Sequence, residues 1–292
     1  MAIACFCCQA AHAIADESAT LRGAVDGHGF IVHTLNSEFQ AGRTEIKVLL
    51  PDKFEAGHRY RVLYVLPVEA GVEHHYGDGL SEVRRLKLHN RFNLICVAPT
   101  FTHLPWYADH PTDQGIRQES YFVKTVVPRV DREYPTLATA EGRWLLGFSK
   151  SGWGALSLLS RHPDLIGRVA AWDAPLEMSR FDLYGAAQVF QNQAHFEQFK
   201  VLPAMIACEP LKQSPARIVL TGYGNFRDQH QSAHQKLEQA GVKHVYRDGP
   251  QLKHSWDSGW IETSVILLAD LPPIKESQTA TPVTPGKCSE DK

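Results

Sequence analysis

The chain predicts an α/β protein with a mostly parallel central sheet flanked by helices. Three observations carry that expectation. Short apolar runs rich in β-branched residues recur along the sequence and read as strands buried on both faces. Helical patterns fall between them. Strands that alternate with helices pair in parallel through right-handed crossovers, which yields an open α/β sheet.

The strand-like runs lie at 45–50, 61–68, 93–98, 143–148, 168–172, 216–223 and 243–247. Helical patterns cover 80–88, 118–134, 152–162, 229–240 and 256–268. No helix separates the first two runs, so an antiparallel hairpin is expected to open the sheet. The segment 177–211 fits the alternation poorly and is longer than a routine connection. It is expected to form a small insertion after the sixth strand of the fold, as a cap or a substrate-binding element. No internal repeat is visible.

Composition sets the limits. Of 292 residues, 43% are hydrophobic and 21% charged, enough apolar material for one large core, with residues 16–274 as a single domain. A formal net charge of −2 favours neither nucleic acid nor an anionic membrane as partner. No stretch approaches the roughly 18 apolar residues of a membrane span. The oligomeric state stays open. Cys5, Cys7 and Cys8 crowd the start, and Cys96, Cys208 and Cys288 are scattered at no metal-ligand spacing. That arrangement predicts no disulfide framework, and Cys96 reads as a small buried hydrophobe.

Two segments flank the domain. Residues 1–15 resemble the end of a secretory signal, with a short apolar stretch and Ala13-x-Ala15 placed for cleavage before Asp16. The basic residues of a complete signal are missing, so the segment is read as a truncated signal. It predicts export to the periplasm or the extracellular space; read as a plain tail, it leaves the chain cytoplasmic. Residues 275–292 are dominated by Ser, Thr, Pro, Gly and charges and are expected to be disordered.

The strongest local signal is Gly147-Phe148-Ser149-Lys150-Ser151-Gly152 between the run at 143–148 and a helical pattern. A strand that turns sharply into a helix at Gly-x-Ser-x-small is the setting of a nucleophile elbow. The residues two before and two after the nucleophile approach each other, so both must be small. Gly147 and Ser151 satisfy this around Ser149, whereas Trp153 would clash if Ser151 were the nucleophile. The bland alternative is that Ser149 only caps a helix. As nucleophile it would have the backbone N–H of Lys150 and a positive helix end beside it, which suit an oxyanion.

A serine nucleophile needs a histidine base and an acid to orient it, in the chain order Ser, acid, His. Of fifteen histidines, His254 lies in the loop between the last strand-like run and the last helix, where a base is expected. His230, His234 and His244 fall on a helical pattern or at a strand start and read as surface groups. Asp228 is the only carboxylate in the loop after the run at 216–223, and is the candidate acid; N-capping the next helix is its alternative. The second oxyanion N–H is expected from the loop at 66–71, at Glu69 or a neighbour. Trp106 and Tyr107 are expected either to line the substrate cleft or to pack beneath their loop. His74-His75 beside Glu73 reads as solvated loop, with no metal.

With these residues in place the chain resembles the Putative esterase family of α/β-hydrolases, over residues 61–268. That family includes esterase D (S-formylglutathione hydrolase), feruloyl esterase modules, enterochelin esterases and mycolyltransferases. The matching series is Pro105-Trp106-Tyr107-Ala108-Asp109, Gln118-Glu119-Ser120-Tyr121, Val127-Pro128-Arg129-Val130-Asp131-Arg132-Glu133-Tyr134-Pro135, Gly147-Phe148-Ser149, Arg161-His162-Pro163-Asp164 and His254-Ser255-Trp256. The resemblance implies the α/β-hydrolase fold, a Ser-Asp-His triad, an acyl-enzyme intermediate and no cofactor. Three positions depart from it. Ser151-Gly152 replaces Gly-Gly, Pro67-Val68 replaces His-Gly, and Asn225 stands where the acid is usual, so Asp228 must substitute. The expected activity is carboxylic ester hydrolysis, on a carbohydrate-linked ester if the chain is exported. An acyltransferase with the same triad, or a degenerate hydrolase serving as a binding scaffold, are the rival readings.

Overall fold

The computed structural model describes residues 23–274, Ala56 excepted. The signal-like segment and the C-terminal tail lie outside the described residues. Nine strands form one sheet: β1 (Ala24–Val25), β2 (Ile31–Leu35), β3 (Thr44–Leu49), β4 (Arg61–Val65), β5 (Leu94–Pro99), β6 (Arg143–Phe148), β7 (Arg168–Trp172), β8 (Ile218–Tyr223) and β9 (His244–Gln251). Their spatial order is β1-β2-β3-β5-β4-β6-β7-β8-β9. The first three strands and the β3–β5 contact are antiparallel, and every pairing from β5 through β9 is parallel.

The helices are α1 (Gly79–Arg85), α2 (Leu88–Arg91), α3 (Gln118–Tyr121), α4 (Val127–Glu133), α5 (Ser149–Arg161), α6 (Ala187–Phe190), α7 (Gln193–Glu197), α8 (Val201–Ala207), α9 (Glu209–Gln213), α10 (Arg227–Gln239) and α11 (Trp260–Asp270). A π-turn, Phe122–Val126, joins α3 to α4, so the helical pattern at 118–134 is one nearly continuous rod.

Alternate side chains of the central strands serve opposite layers, as a pleated strand requires. Val62, Tyr64, Ile95, Val97 and Leu145 face the layer formed with α5. Leu63, Val65, Cys96, Leu146 and Phe148 face the layer formed with α1 and α11. Cys96 and Cys208 are free and buried, and burial pushes the Cys96 thiol well above its usual range.

Two topological expectations need correction. The runs at 45–50 and 61–68 do not form a hairpin: β5 lies between β3 and β4 and pairs with both. The sheet opens instead on the antiparallel series β1, β2 and β3, and β1 and β2 were not expected as strands. Both sit at the sheet edge and are mostly half-buried or exposed, so they lack the apolar run that marks a central strand. The segment 177–211 is an insertion after β7, made of a 3₁₀ turn (Leu183–Gly185) and α6 to α9.

Candidate active site

The parallel strands aim the loops after β4, β6, β7, β8 and β9 at one edge of the sheet, the edge where open α/β sheets bind ligands. β6 is buried throughout and turns into α5 at Ser149, whose φ is +51°. That left-handed conformation is costly for a non-glycine residue and marks the elbow. A Cβ on Gly147 would come within 2.4 Å of the Ser151 carbonyl oxygen, which is why position 147 must be glycine. Ser151, fully buried, ties the turn from inside. Its hydroxyl donates to the Phe148 carbonyl at 3.0 Å and accepts the Phe148 N–H at 3.1 Å. Serine in place of the usual glycine therefore adds two bonds to the elbow. The Lys150 N–H lies in the first turn of α5, where amides have no intrahelical partner.

His254 follows β9 and packs against four rings: Phe148 at 5.0 Å, Tyr76 at 5.7 Å, Trp172 and Phe226 at 6.1 Å each. The contact with Phe148 sets it beside the residue that precedes Ser149. Its side chain is 18% exposed, and its Nδ1 lies 2.5 Å from Asp173 Oδ2. A carboxylate can only accept, so Nδ1 carries the hydrogen and Nε2 is left unprotonated.

The carboxylate bonded to His254 is not the one expected from the sequence. Asp228 is exposed in the first turn of α10, and Phe226 holds the N-cap, so Asp228 neither reaches His254 nor caps the helix. The carboxylate beside His254 belongs to Asp173, one strand earlier, directly after β7 and with φ +44°. The chain order Ser, acid, His is kept. The loop after β8, expected to supply the acid, supplies its donors instead. The Asn225 N–H reaches both Asp173 oxygens at 2.8 Å and the Phe226 N–H reaches Oδ1 at 2.7 Å. A Cβ on Gly224 would stand 2.6 Å from Asp173 Oδ2, so glycine lets the loop close on the carboxylate. Burial alone would raise the Asp173 pKa, but the His254 hydrogen bond and the N–H groups of Phe226, Gly224 and Asn225 outweigh it and hold it below the usual value. Its only mark in the sequence is that it directly follows the strand-like run at 168–172, which does not single it out from other aspartates beside strands and helices.

The loop after β4 lies beside the elbow because β4 pairs with β6. The Glu69 side chain is buried and accepts the N–H groups of His75 (3.0 Å) and Tyr76 (3.4 Å), which fixes the loop at 69–76. Tyr76 O in turn accepts the Trp256 N–H at 2.8 Å, tying this loop to the His254 loop. Glu69, Glu73 and His75 could together offer ligand atoms within 4.8 Å of one another, a grouping that the Glu73-His74-His75 triplet alone did not predict. Glu73 and His75 are exposed, and the Glu69 carboxylate is already engaged.

Trp106 and Tyr107 do not line an open cleft: both are fully buried. Trp106 packs on Trp153 and Phe190 at 5.5 and 6.1 Å. Tyr107 donates its hydroxyl to Pro67 O at 2.7 Å, at the base of the Glu69 loop. The aromatic groups at the surface near His254 are Tyr76, 39% exposed, and Tyr184 of the insertion, 52% exposed and 5.7 Å from Phe226. Among the described residues no helix is long and apolar enough to cross a membrane.

The model of the Putative esterase family matches residues 100–261, more than half of the chain and the whole span from the Trp106 loop through the elbow to His254. The chain belongs to that family. Two Mycobacterium tuberculosis proteins, Esterase MT1326 and Esterase Rv1288, are each 25% identical to it over 142 residues, 46% of this chain and 30% of theirs. The match thus spans under a third of the length of those relatives. Among solved structures, a ferulic acid esterase superposes with a TM-score of 0.64 at 21% identity, covering 82% of this chain and 95% of its own. MPT51 of Mycobacterium tuberculosis gives 0.66 at 10% identity, covering 82% and 97%. The S-formylglutathione hydrolase of Staphylococcus aureus gives 0.64 at 14%, covering 82% and 98%. These likenesses are to the α/β-hydrolase fold.

Proposed function

We propose that this family member hydrolyses carboxylic esters through a Ser149–His254–Asp173 triad and an acyl-enzyme intermediate. The observation that carries the reading is the 2.5 Å contact between His254 Nδ1 and a fully buried Asp173 that accepts three further hydrogen bonds, on a loop packed against the elbow. In the first step Ser149 Oγ attacks the ester carbonyl while His254 Nε2 takes its proton. The tetrahedral oxyanion is held by the N–H of Lys150 and by an N–H of the Glu69 loop. Collapse expels the alcohol, which receives the proton from His254. Water, deprotonated by the same nitrogen, then releases the acid and frees Ser149. Asp173 keeps its charge throughout and stabilises the imidazolium.

The aromatic rim of Tyr76, Tyr184 and Phe226 around His254 suits an ester that carries a flat ring, an aryl acyl group or a sugar, since ring faces stack on such surfaces. A carbohydrate-linked ester meets that requirement.

The test is turnover of p-nitrophenyl acetate and methyl ferulate by wild type, Ser149→Ala and His254→Ala. Each variant is expected to lose on the order of 10⁴-fold in kcat. Turnover that survives in Ser149→Ala would sink the mechanism.

A further inference from the structure

Beside the Asp173 turn lies a histidine that the mechanism does not use. His230, in the first turns of α10, is 1% exposed and was expected at the surface. Its Nε2 stands 2.8 Å from the backbone nitrogen of Ala174. An amide N–H can only donate, so Nε2 is the unprotonated ring nitrogen and the hydrogen sits on Nδ1. Nδ1 is buried and has no hydrogen-bond partner. Leaving such a donor unpaired costs about 1–3 kcal/mol, a penalty that an aliphatic side chain of similar volume would escape. What histidine supplies there in return is the acceptor for Ala174.

That acceptor matters because of where Ala174 is. It follows Asp173, whose φ of +44° is a conformation that a non-glycine residue keeps only when its surroundings enforce it. The Asn225 and Phe226 amides grip the Asp173 carboxylate from one side. On the other side the turn is held by the bond from Ala174 to His230, and Ala174 in turn lies against α5, where a Cβ on Gly152 would stand 3.0 Å from the Ala174 Cβ. The elbow and the acid turn thus share one packed contact, with His230 behind it.

We propose that His230 is a positioning residue for ester hydrolysis: its neutral imidazole holds the Ala174 amide, fixes the left-handed turn at Asp173 and so aims the carboxylate at His254. The inference rests on the triad of the preceding subsection.

The decisive comparison uses the full chain with His230→Met, which fills the space without a strong acceptor, and His230→Gln, whose amide oxygen reaches the place of Nε2. His230→Met is expected to lower kcat about 10- to 100-fold, the order caused by an ångström-scale misplacement, with KM within about threefold. His230→Gln should restore most of that loss. A folded His230→Met with wild-type kcat overturns the proposal. So does a loss of kcat that His230→Gln fails to recover. Wild-type protein gives a check that no misfolded variant can obscure: long-range ¹H–¹⁵N correlation of the His230 ring must show the Nδ1–H tautomer, and an Nε2–H tautomer overturns the assignment. Asp173→Asn separates the two readings. If it stays active the triad itself fails; if it is inactive while His230→Met is not, only the role of His230 fails.

Discussion

Asp173 and Asp228 differ by one strand in the sheet, and the difference decides what each can do. A carboxylate fixed by backbone N–H groups can orient a histidine without being pulled out of place, whereas one exposed on a helix turn is free to move and is solvated. Asp173→Asn is therefore expected to cost about 10⁴-fold in kcat, as amide replacement of the acid does in other triads, by forcing the wrong His254 tautomer. Asp228→Asn should leave kcat within about twofold, with at most a few tenths of a kcal/mol lost from its favourable position near the α10 N-terminus. Steady-state kinetics on both variants checks the pair; equal effects would return the acid to the β8 loop. Ser151 makes a second residue-scale case. Replacing it by alanine strips both Phe148 backbone groups of a buried partner, and a stability loss of about 1–3 kcal/mol in urea denaturation is expected.

At the level of elements, α5 begins at Ser149 and lies so close to the Trp106-Tyr107 segment that a side chain at position 154 has no room. A Cβ on Gly154 would lie 2.0 Å from the Tyr107 ring. Tyr107 is also bonded to Pro67 O, so displacing the ring disturbs the base of the Glu69 loop. Gly154→Ala is expected to cost about 1–3 kcal/mol from overpacking, and to lower kcat more than it raises KM. Thermal melts and kinetics on the same preparation test both halves. Such contacts also explain what the sequence could and could not disclose. Strands β4 to β8 were legible because burial on both faces imposes an apolar run, and the sharp turn at Ser149 and the loop that carries His254 were legible because each has a local signature. The partner of His254 was not, since Asp173 is defined by its strand's neighbours. Nothing local separates an aspartate that ends β7 from one that begins α10. The same holds for β4, whose place beyond β5 depends on pairing across distant segments, and for Trp106, which packs against Phe190 of the insertion, and Tyr107, which packs against Phe101 and α5.

Across the whole molecule the buried ionisable groups set an acid limit on stability. Burial presses the pKa of His230 down to about 4, against an opposing pull from the charge of Asp173. Burial likewise lowers His89 and His244, partly offset by Asp52 and by the Val242 carbonyl. These histidines stay neutral in the fold while their unfolded counterparts take up protons below about pH 6.5. The unfolded state thus binds more protons, and stability falls as the pH drops from 6.5 toward the folded values. For His230 alone the loss by pH 4 is about 3 kcal/mol, from some 2.5 units at 1.36 kcal/mol each. The carboxylates act lower still. Burial raises the pKa of Asp173 and Glu119, yet hydrogen bonds from His254 and the β8 loop, and from His162 and Arg161, bring both below normal. Their stabilisation is complete above the unfolded carboxylate value near pH 4 and disappears as the pH falls through the folded values. Urea midpoints measured from pH 7 to pH 3 should therefore decline in two stages. His230→Gln, which cannot titrate, should flatten the stage between pH 6.5 and 4 and leave the lower one. Glu119→Gln should soften only the lower one. A single decline confined below pH 4 in wild type would mean that His230 is protonated, and not held as an acceptor, in the folded protein.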